Sequence, residues 1–435
     1  MLLKWTAVLL PGILLANIVW LFGVNTVFMD DFEPIADFIN IINNRKIDWN
    51  ALLALHNEHR IVIPRIITHV IAYFTHYNTK FLMMFSVLLL IWGYLIFIRY
   101  TVQKKIKEFS LKDILYASVI GCCLFSLKQY ENLLWGFQIA WFLIEFCVIS
   151  GCACLVLYME NKKRICLCMA RIMGVLASFS SLHGLAIWPC YLVIVLLNQF
   201  EQRQFDYKLL LVIIVTTIII FLLYFHNYFL PEADILSTGK AKSLMQVVSF
   251  FFMNLGCVLV FSNDATMMKI AGITEFVLIT FLCFETLVNK TIRKNLLSIS
   301  LIVFGCGVAL MLGIGRASWG IPGRYMTFPC IVVVGCLGLL YNFNSKNLWK
   351  KRWLWVCFII LSGMSCLTSY YSLQQYAKLY NAKMIAAAVM IDYKKEPLYI
   401  LRFIYPFKTY EEAQRRIGDI EHANLSFFYE LKGSK

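Results

Sequence analysis

LLLVIIVTTIIIFLLYF, running from Leu209 to Phe225, is seventeen residues long and carries no charge. A helix crossing a hydrocarbon core takes roughly 17–25 residues at about 1.5 Å each, so this run is long enough to span a membrane. The polar stretch Glu201–Lys208 precedes it, and the apolar run begins abruptly. The same alternation recurs in both directions. Candidate spans lie at about 5–28, 81–99, 111–127, 139–159, 165–180, 185–200, 209–228, 269–288, 296–314, 325–343 and 353–371. They predict an all-α polytopic transmembrane helical bundle of about eleven spans. A further apolar run, Met245 to Phe261, is expected as a re-entrant or partial helix. Counted as a full crossing, it would put the basic stretch Asn289–Asn295 outside, against the positive-inside rule.

Composition agrees with this reading. Of 435 residues, 60% are apolar and 15% charged, against about half and a quarter in soluble domains. The net charge of +15 does not point to nucleic acid, because the lysines and arginines sit in short loops between apolar runs. These loops are Arg99–Lys112, Glu160–Arg164, Glu201–Lys208, Asn289–Asn295 and Ser345–Arg352, and basic loops of this kind face the cytoplasm. The N-terminus is then cytoplasmic. Segments 29–80, 128–138, 181–184, 229–244 and 315–324 lie outside, with a tail from about 372. The first apolar run is longer than a signal-peptide core and has no small-x-small cleavage pattern, so it reads as a retained helix. The fifteen cysteines lie in or beside apolar runs and read as small packed hydrophobes, not as zinc ligands or a disulfide framework. Residues 1–371 are expected to form one transmembrane unit, with amphipathic helices in its first outer loop. Residues 372–435 are expected to form a small helical cap, broken at Pro397 and Pro406 and closed by the aromatic cluster Leu425–Tyr429.

Polar chemistry gathers in the outer segments. The first opens with MDDFEP, Met29 to Pro34, whose carboxylates Asp30, Asp31 and Glu33 can act as a base, hold a metal or end a helix. It continues with HNEHRIVIPR, containing His56, Glu58, His59, Arg60 and Arg65. On a helix, His56, His59 and Arg60 would share a face, serving either a substrate or lipid headgroups. The metalloprotease spacing of two histidines four apart is absent. The next outer loop offers Glu131, Asn132 and Gln138 beside Trp135, amides and an aromatic that suit sugar recognition. Trp135 also fits an ordinary interface anchor. A later turn carries His183, and Gly315–Tyr325 carries Arg316, Arg324 and Tyr325. Arginines on the outer side ask for an anion. The guanidinium fork matches a phosphate or diphosphate, and a salt bridge to the acidic first loop is the rival reading. Within the spans the main charges are Glu145, Arg171 and Glu285. Ion-coupled transporters concentrate such groups near the bilayer midplane, a pattern that is weak here.

The Asp-Asp opening of the first outer loop, HNEHR at 56–60, YENLLWGFQ at 130–138 and the pair GRA and GRY at 315–317 and 323–325 resemble motifs of the bacterial GT-C-type polytopic glycosyltransferases, including the serotype-converting O-antigen glucosyltransferases. The resemblance implies a GT-C-like fold and transfer of a hexose, glucose being expected, from a polyprenyl-phosphate donor. The acceptor would be a cell-envelope glycan such as the O-antigen of lipopolysaccharide. The reaction would be inverting, on the periplasmic face of the bacterial inner membrane, with the C-terminus also extracytoplasmic. The general base would be Asp30 or Asp31, and Arg316 or Arg324 would meet the departing phosphate. Glu33, His56, Glu58, His59, Arg60, Arg65, Glu131, Asn132, Gln138, His183 and Tyr325 would line the substrate sites. No cofactor is expected and no metal is assigned, although Asp30, Asp31 and Glu58 could hold a divalent ion if the loop folds back. The chain departs from the family in carrying Gly323 where a polar residue often precedes Arg-Tyr. Three other classes stay open: a lipid-linked glycan flippase or transporter, an O-antigen ligase or polymerase, and a structural membrane partner without catalysis. The second usually concentrates its His and Arg in a late outer loop, whereas the richest loop here comes first, and the third leaves the outer Arg and Asp pairs without purpose.

Overall fold

The computed structural model describes residues 2–229, 239–262, 264–343 and 347–433. Residues 230–238 of the expected outer loop 229–244, Lys346 of the last basic loop and the final two residues of the tail lie outside that description. The chain is an all-α bundle whose only described strands are two residues each. The apolar runs become helices, and among the described residues nine helical stretches are long and apolar enough to cross a membrane. Leu111–Leu124 and Arg164–Ser178 have 14 and 15 residues, less than a full crossing needs. The short polar loops supply the N-caps that start the helices, meeting backbone N–H groups that the first turn leaves orphaned. Asp206 Oδ1 accepts from Leu209 N at 3.0 Å, and Asp264 Oδ1 from Met267 N at 2.8 Å. Deep in the bundle, Tyr94 Oη contacts the carbonyl oxygens of Val8 and Ala117 at 2.9 and 3.0 Å, tying three helices together.

The 245–261 run forms Leu244–Gly256 and one further turn, Cys257–Leu259. At 13 residues the helix is a partial one. It packs on Ala265–Val288 through facing glycines, the small-residue contact that lets membrane helices approach closely. A Cβ on Gly272 would stand 1.9 Å from the Phe252 carbonyl oxygen, and one on Gly256 would stand 2.1 Å from that of Met268. Gly272→Ala must therefore push two backbones apart, an overpacking that costs roughly 1–3 kcal/mol. Gly363→Ala meets nothing within 4 Å. In detergent thermal-melt assays the first variant is expected to lose folded protein at lower temperature than the native chain, and the second to match it.

After Leu348–Tyr371 the chain passes through one turn residue, Ser372, into Leu373–Ile391, followed by Leu398–Leu401, Tyr410–His422 and Phe427–Gly433. This tail does not stand apart from the first loop. Val27, Phe32, Ile35 and Phe38 share a small apolar core with Met390, Leu401, Ile404, Phe407 and Ile417. Met29 N donates to the Ile404 carbonyl at 2.8 Å, and Asn25 and Asn78 both donate to Glu430 Oε1 at 2.9 Å. The tail thus holds the Asp30 segment at one end of the bundle.

The HNEHR motif is not helical. Leu55–His56 and His59–Arg60 form a tight antiparallel hairpin that turns at Asn57, whose φ of 50° asparagine tolerates well. Successive side chains on a strand point to opposite faces. His59 and Arg60 are thereby separated, and the shared helical face expected for His56, His59 and Arg60 does not form.

Candidate active site

The loops at this end enclose a cleft with a cavity volume of about 160 Å³. Asp30, His56, Glu58, His59, Arg65, Gln138, His183, Arg316, Arg324 and Tyr325 all line it, although they come from segments scattered over the whole chain. Each sits where a helix meets a loop or in the first loop itself. Arg316 ends Ile292–Arg316, Gln138 precedes Ile139–Asn161, and Asp30 lies in the single turn Met29–Asp31.

That turn separates the two aspartates. Asp31 is buried, and its Oδ2 accepts from Trp135 Nε1 at 3.0 Å and from Phe28 N at 3.3 Å. Burial pushes its carboxyl up, with the Lys383 ammonium opposing. Asp31 is absent from the cleft wall and instead anchors the turn. Asp30 opens into the cleft with its side chain 37% exposed. Partial burial holds Asp30 above the ordinary aspartate value; the His56 charge opposes, Glu33 adds to the rise, and Arg324 opposes again.

His56 lies between two carboxylates, with Nδ1 at 2.7 Å from Glu33 Oε2 and Nε2 at 3.8 Å from Asp30 Oδ2. Burial alone would lower it, but the Glu33 hydrogen bond and charge, with Asp30, raise it above the usual histidine range. Burial works against the Glu33 charge too, yet the bond to His56 holds Glu33 below its usual value. His59 behaves oppositely. Burial pushes it down to about 3, assisted by the charges of His56, Arg316 and Arg324, so it is neutral near pH 7. Its ring lies 5.2 Å from that of His183, whose Nδ1 is 3.2 Å from Ser181 Oγ.

The two arginines differ. Arg316 forms an ion pair with Glu58 of the first loop, as its rival reading had it. Arg324 lies over the Tyr325 ring, 5.8 Å from its centroid, and among the described residues it makes no ion pair. Its backbone is clamped from the loop at 128–138: Glu131 Oε2 accepts from Arg324 N at 3.0 Å, and Asn132 Nδ2 donates to Arg324 O at 2.8 Å. Glu131 and Asn132 therefore position the arginine and are not part of the cleft lining. The glycine at 323 follows from the same clamp, since a Cβ there would fall 2.7 Å from Glu131 Oε1.

Two further expected residues lie elsewhere. Arg60 faces away from the cleft, its guanidinium donating to the carbonyls of Tyr224 at 2.6 Å, Leu53 at 2.9 Å and His226. It pins the hairpin to the end of Tyr207–Phe225. Glu33 reaches the cleft only through His56. Conversely, Asn57, Phe137, Trp141 and Ser181 line the cleft without having been singled out. Trp141, in the first turn of Ile139–Asn161, lies with its ring tilted 5.3 Å from that of His183 and 6.1 Å from that of Tyr325, and its place just past Gln138 was its available signal. Among the described residues no group of three or more His, Cys, Asp and Glu is placed to hold a metal ion. With Asp31 turned away, the grouping of Asp30, Asp31 and Glu58 does not assemble.

Fold and cleft together define a multi-pass membrane protein with a polar acid–base cleft at one end of its helix bundle. No protein-family model matches the chain, and no curated protein matches it. Among solved structures it is similar to ArnT from Cupriavidus metallidurans bound to undecaprenyl phosphate, with a TM-score of 0.47, 12% identity, and 95% of this chain and 76% of that one covered. It is also similar to the apo state of the same protein, with a TM-score of 0.45, 14% identity and the same coverage.

Proposed function

We propose that the protein is a membrane glycosyltransferase that moves a hexose from a polyprenyl-phosphate donor to a cell-envelope glycan, acting on the periplasmic side of a bacterial inner membrane. One observation carries the reading: the Asp30 carboxylate and two arginines far from it in sequence meet in one cleft at one end of the helix bundle. Asp30 takes the proton of an acceptor hydroxyl as that oxygen bonds to the anomeric carbon. The bond from that carbon to the donor phosphate oxygen breaks, and its electron pair leaves with the phosphate. The negative charge developing there is met by Arg324 and, as Glu58 yields, by Arg316. A single displacement of this kind inverts the anomeric centre. Trp141 and Tyr325 offer faces to the sugar, and Gln138 offers its amide to hydroxyls. The test is transfer of labelled hexose from a polyprenyl-phosphate donor to envelope glycan by the purified chain in lipid. A native chain that transfers nothing from such a donor defeats the reading.

The base must be ionised to act, so transfer is expected to fall as pH drops through the Asp30 ionisation, at a pH above the ordinary aspartate value of about 3.9. His56 charge lowers Asp30. His56→Gln removes that influence, and the acid limb of the pH–rate profile should move to higher pH. A limb that moves down or stays put removes Asp30 from the role.

A second reading, a lipid-linked glycan transporter, is favoured by Glu145 and Glu275. Both are buried within spans, and neither carboxylate has a hydrogen-bond partner among the described residues. Intramembrane carboxyls often mark ion pathways. Glu145→Gln and Glu275→Gln separate the readings: a transporter loses its flux, and a transferase with its chemistry in the cleft keeps its rate.

A further inference from the structure

A second hollow adjoins the cleft. It lies between the Phe32–Asn44 helix of the first loop and the Tyr410–His422 helix of the tail, with a volume of about 400 Å³. Glu33, Asp37 and Arg65 line its first-loop side and Arg415, Arg416 and Asp419 its tail side, so each side carries both charges. Its floor includes Ile35 and Ile420. The seam between the two hollows is one side chain thick. Arg65 lines both, and Glu33 lines this one while bonding His56 of the other.

Arg65 is the telling group. It is buried, with Nη1 donating to the carbonyls of Leu52 at 3.2 Å and Ala54 at 2.5 Å. Its Nε has no hydrogen-bond partner, and the Asp37 carboxylate stands 3.9 Å away. A buried donor left unsatisfied is unfavourable, and a ligand oxygen is the group that would relieve it. The charges around it balance, so the hollow selects neither a cation nor a polyanion. Paired planar acceptors and planar donors over an apolar floor instead match neutral polyhydroxyl chains, whose hydroxyls both donate and accept while their C–H faces cover carbon.

We propose that this groove binds the acceptor: a neutral stretch of envelope glycan lies along it and passes one hydroxyl over the Glu33–Arg65 seam to Asp30. The proposal rests on the transferase reading for the role of the glycan, but the groove itself can be tested without turnover. The probe is envelope polysaccharide cut to short neutral oligosaccharides, titrated by saturation-transfer NMR against the full chain in lipid nanodiscs. Arg415 is on the tail surface, and Arg416 and Asp37 are half-buried at the rim of the hollow, so Arg415→Ala, Arg416→Ala and Asp37→Asn should fold. Each is expected to weaken oligosaccharide binding about tenfold, or about 1.4 kcal/mol, while Arg324→Ala in the cleft leaves binding as it is. Native binding that survives all three substitutions overturns the proposal, as does a native chain that binds no oligosaccharide. Labelled-hexose transfer is run in parallel. Groove-dependent binding without any transfer keeps the groove and rejects the donor reading; transfer that proceeds with native KM for the glycan in the groove variants does the reverse.

Discussion

Asp30→Asn is expected to reduce hexose transfer by roughly 10²–10⁴-fold, the usual contribution of a positioned general base, with the protein accumulating in the membrane at native levels. Asn keeps the shape and loses the proton acceptor. Asp30 is partly exposed and makes no hydrogen bond that the fold depends on, so the loss should fall in kcat and not in stability. Asp31→Asn should behave in the opposite way. Its carboxylate bonds Trp135 and the Phe28 amide in a buried place beside Lys383. Removing its charge leaves a buried ammonium without its counter-charge, and the cost appears as lower accumulation and a lower melting temperature. What protein survives should retain most of its activity per molecule. The discriminating measurement is transfer rate normalised to folded protein. If Asp31→Asn abolishes the normalised rate and Asp30→Asn spares it, the roles are reversed and Asp31 is the base.

That distinction was not available from the sequence, and the reason is physical. The directions of two adjacent carboxylates depend on one short helical turn, and the turn is fixed by Trp135, Lys383 and Ile404, which come from distant parts of the chain. The same limit applies to Arg60. Its place in a charged run says that polar chemistry is near, but only the hairpin at Asn57 decides that His59 enters the cleft and Arg60 leaves it. Glu131 and Asn132 look like substrate amides and acids because such residues serve sugars and backbones equally well. Lys383 gave no signal at all: a lysine in an amphipathic tail helix reads as solvated, yet here it is buried and donates to the Leu134 carbonyl at 2.5 Å.

What could be read early has an equally plain cause. A bilayer requires long charge-free helices, so the spans show in composition alone. The same requirement forces ionisable groups to helix ends, and loops of one parity must meet on one side. Asp30, Gln138, His183, Arg316 and Arg324 share a cleft because each stands at such an end. Helix length was less legible than helix position. Leu111–Leu124 stops where the chain turns into the Ser126-capped turn at Leu127–Gln129, which hydropathy does not register. The tail's role was hidden as well, because its apolar residues are sparse and become a core only when Val27, Phe32 and Phe38 pack among them.

Arg324→Ala is expected to reduce kcat by about 10²–10³-fold, the effect of removing one donor aimed at developing negative charge, with little change in stability. The two arginines differ in what each already holds. Arg316 is neutralised by Glu58, so its pull on a phosphate is partly cancelled. Arg324 makes no ion pair among the described residues, although its charge reaches Asp30, and Glu131 and Asn132 hold its backbone in place. Arg324→Lys should recover only part of the rate, since an ammonium supplies the charge without the bidentate fork. Arg316→Ala is the informative companion. It removes a cation and also bares the Glu58 carboxylate beside the leaving phosphate, so the single variant should be worse than the loss of one donor alone. Glu58→Gln added to it should then restore part of the rate, a coupling that a double-mutant cycle isolates. If the two substitutions are simply additive, Glu58 does not oppose the phosphate. If Arg324→Ala transfers at the native rate, the leaving group is not stabilised in this cleft and the proposed chemistry fails with it.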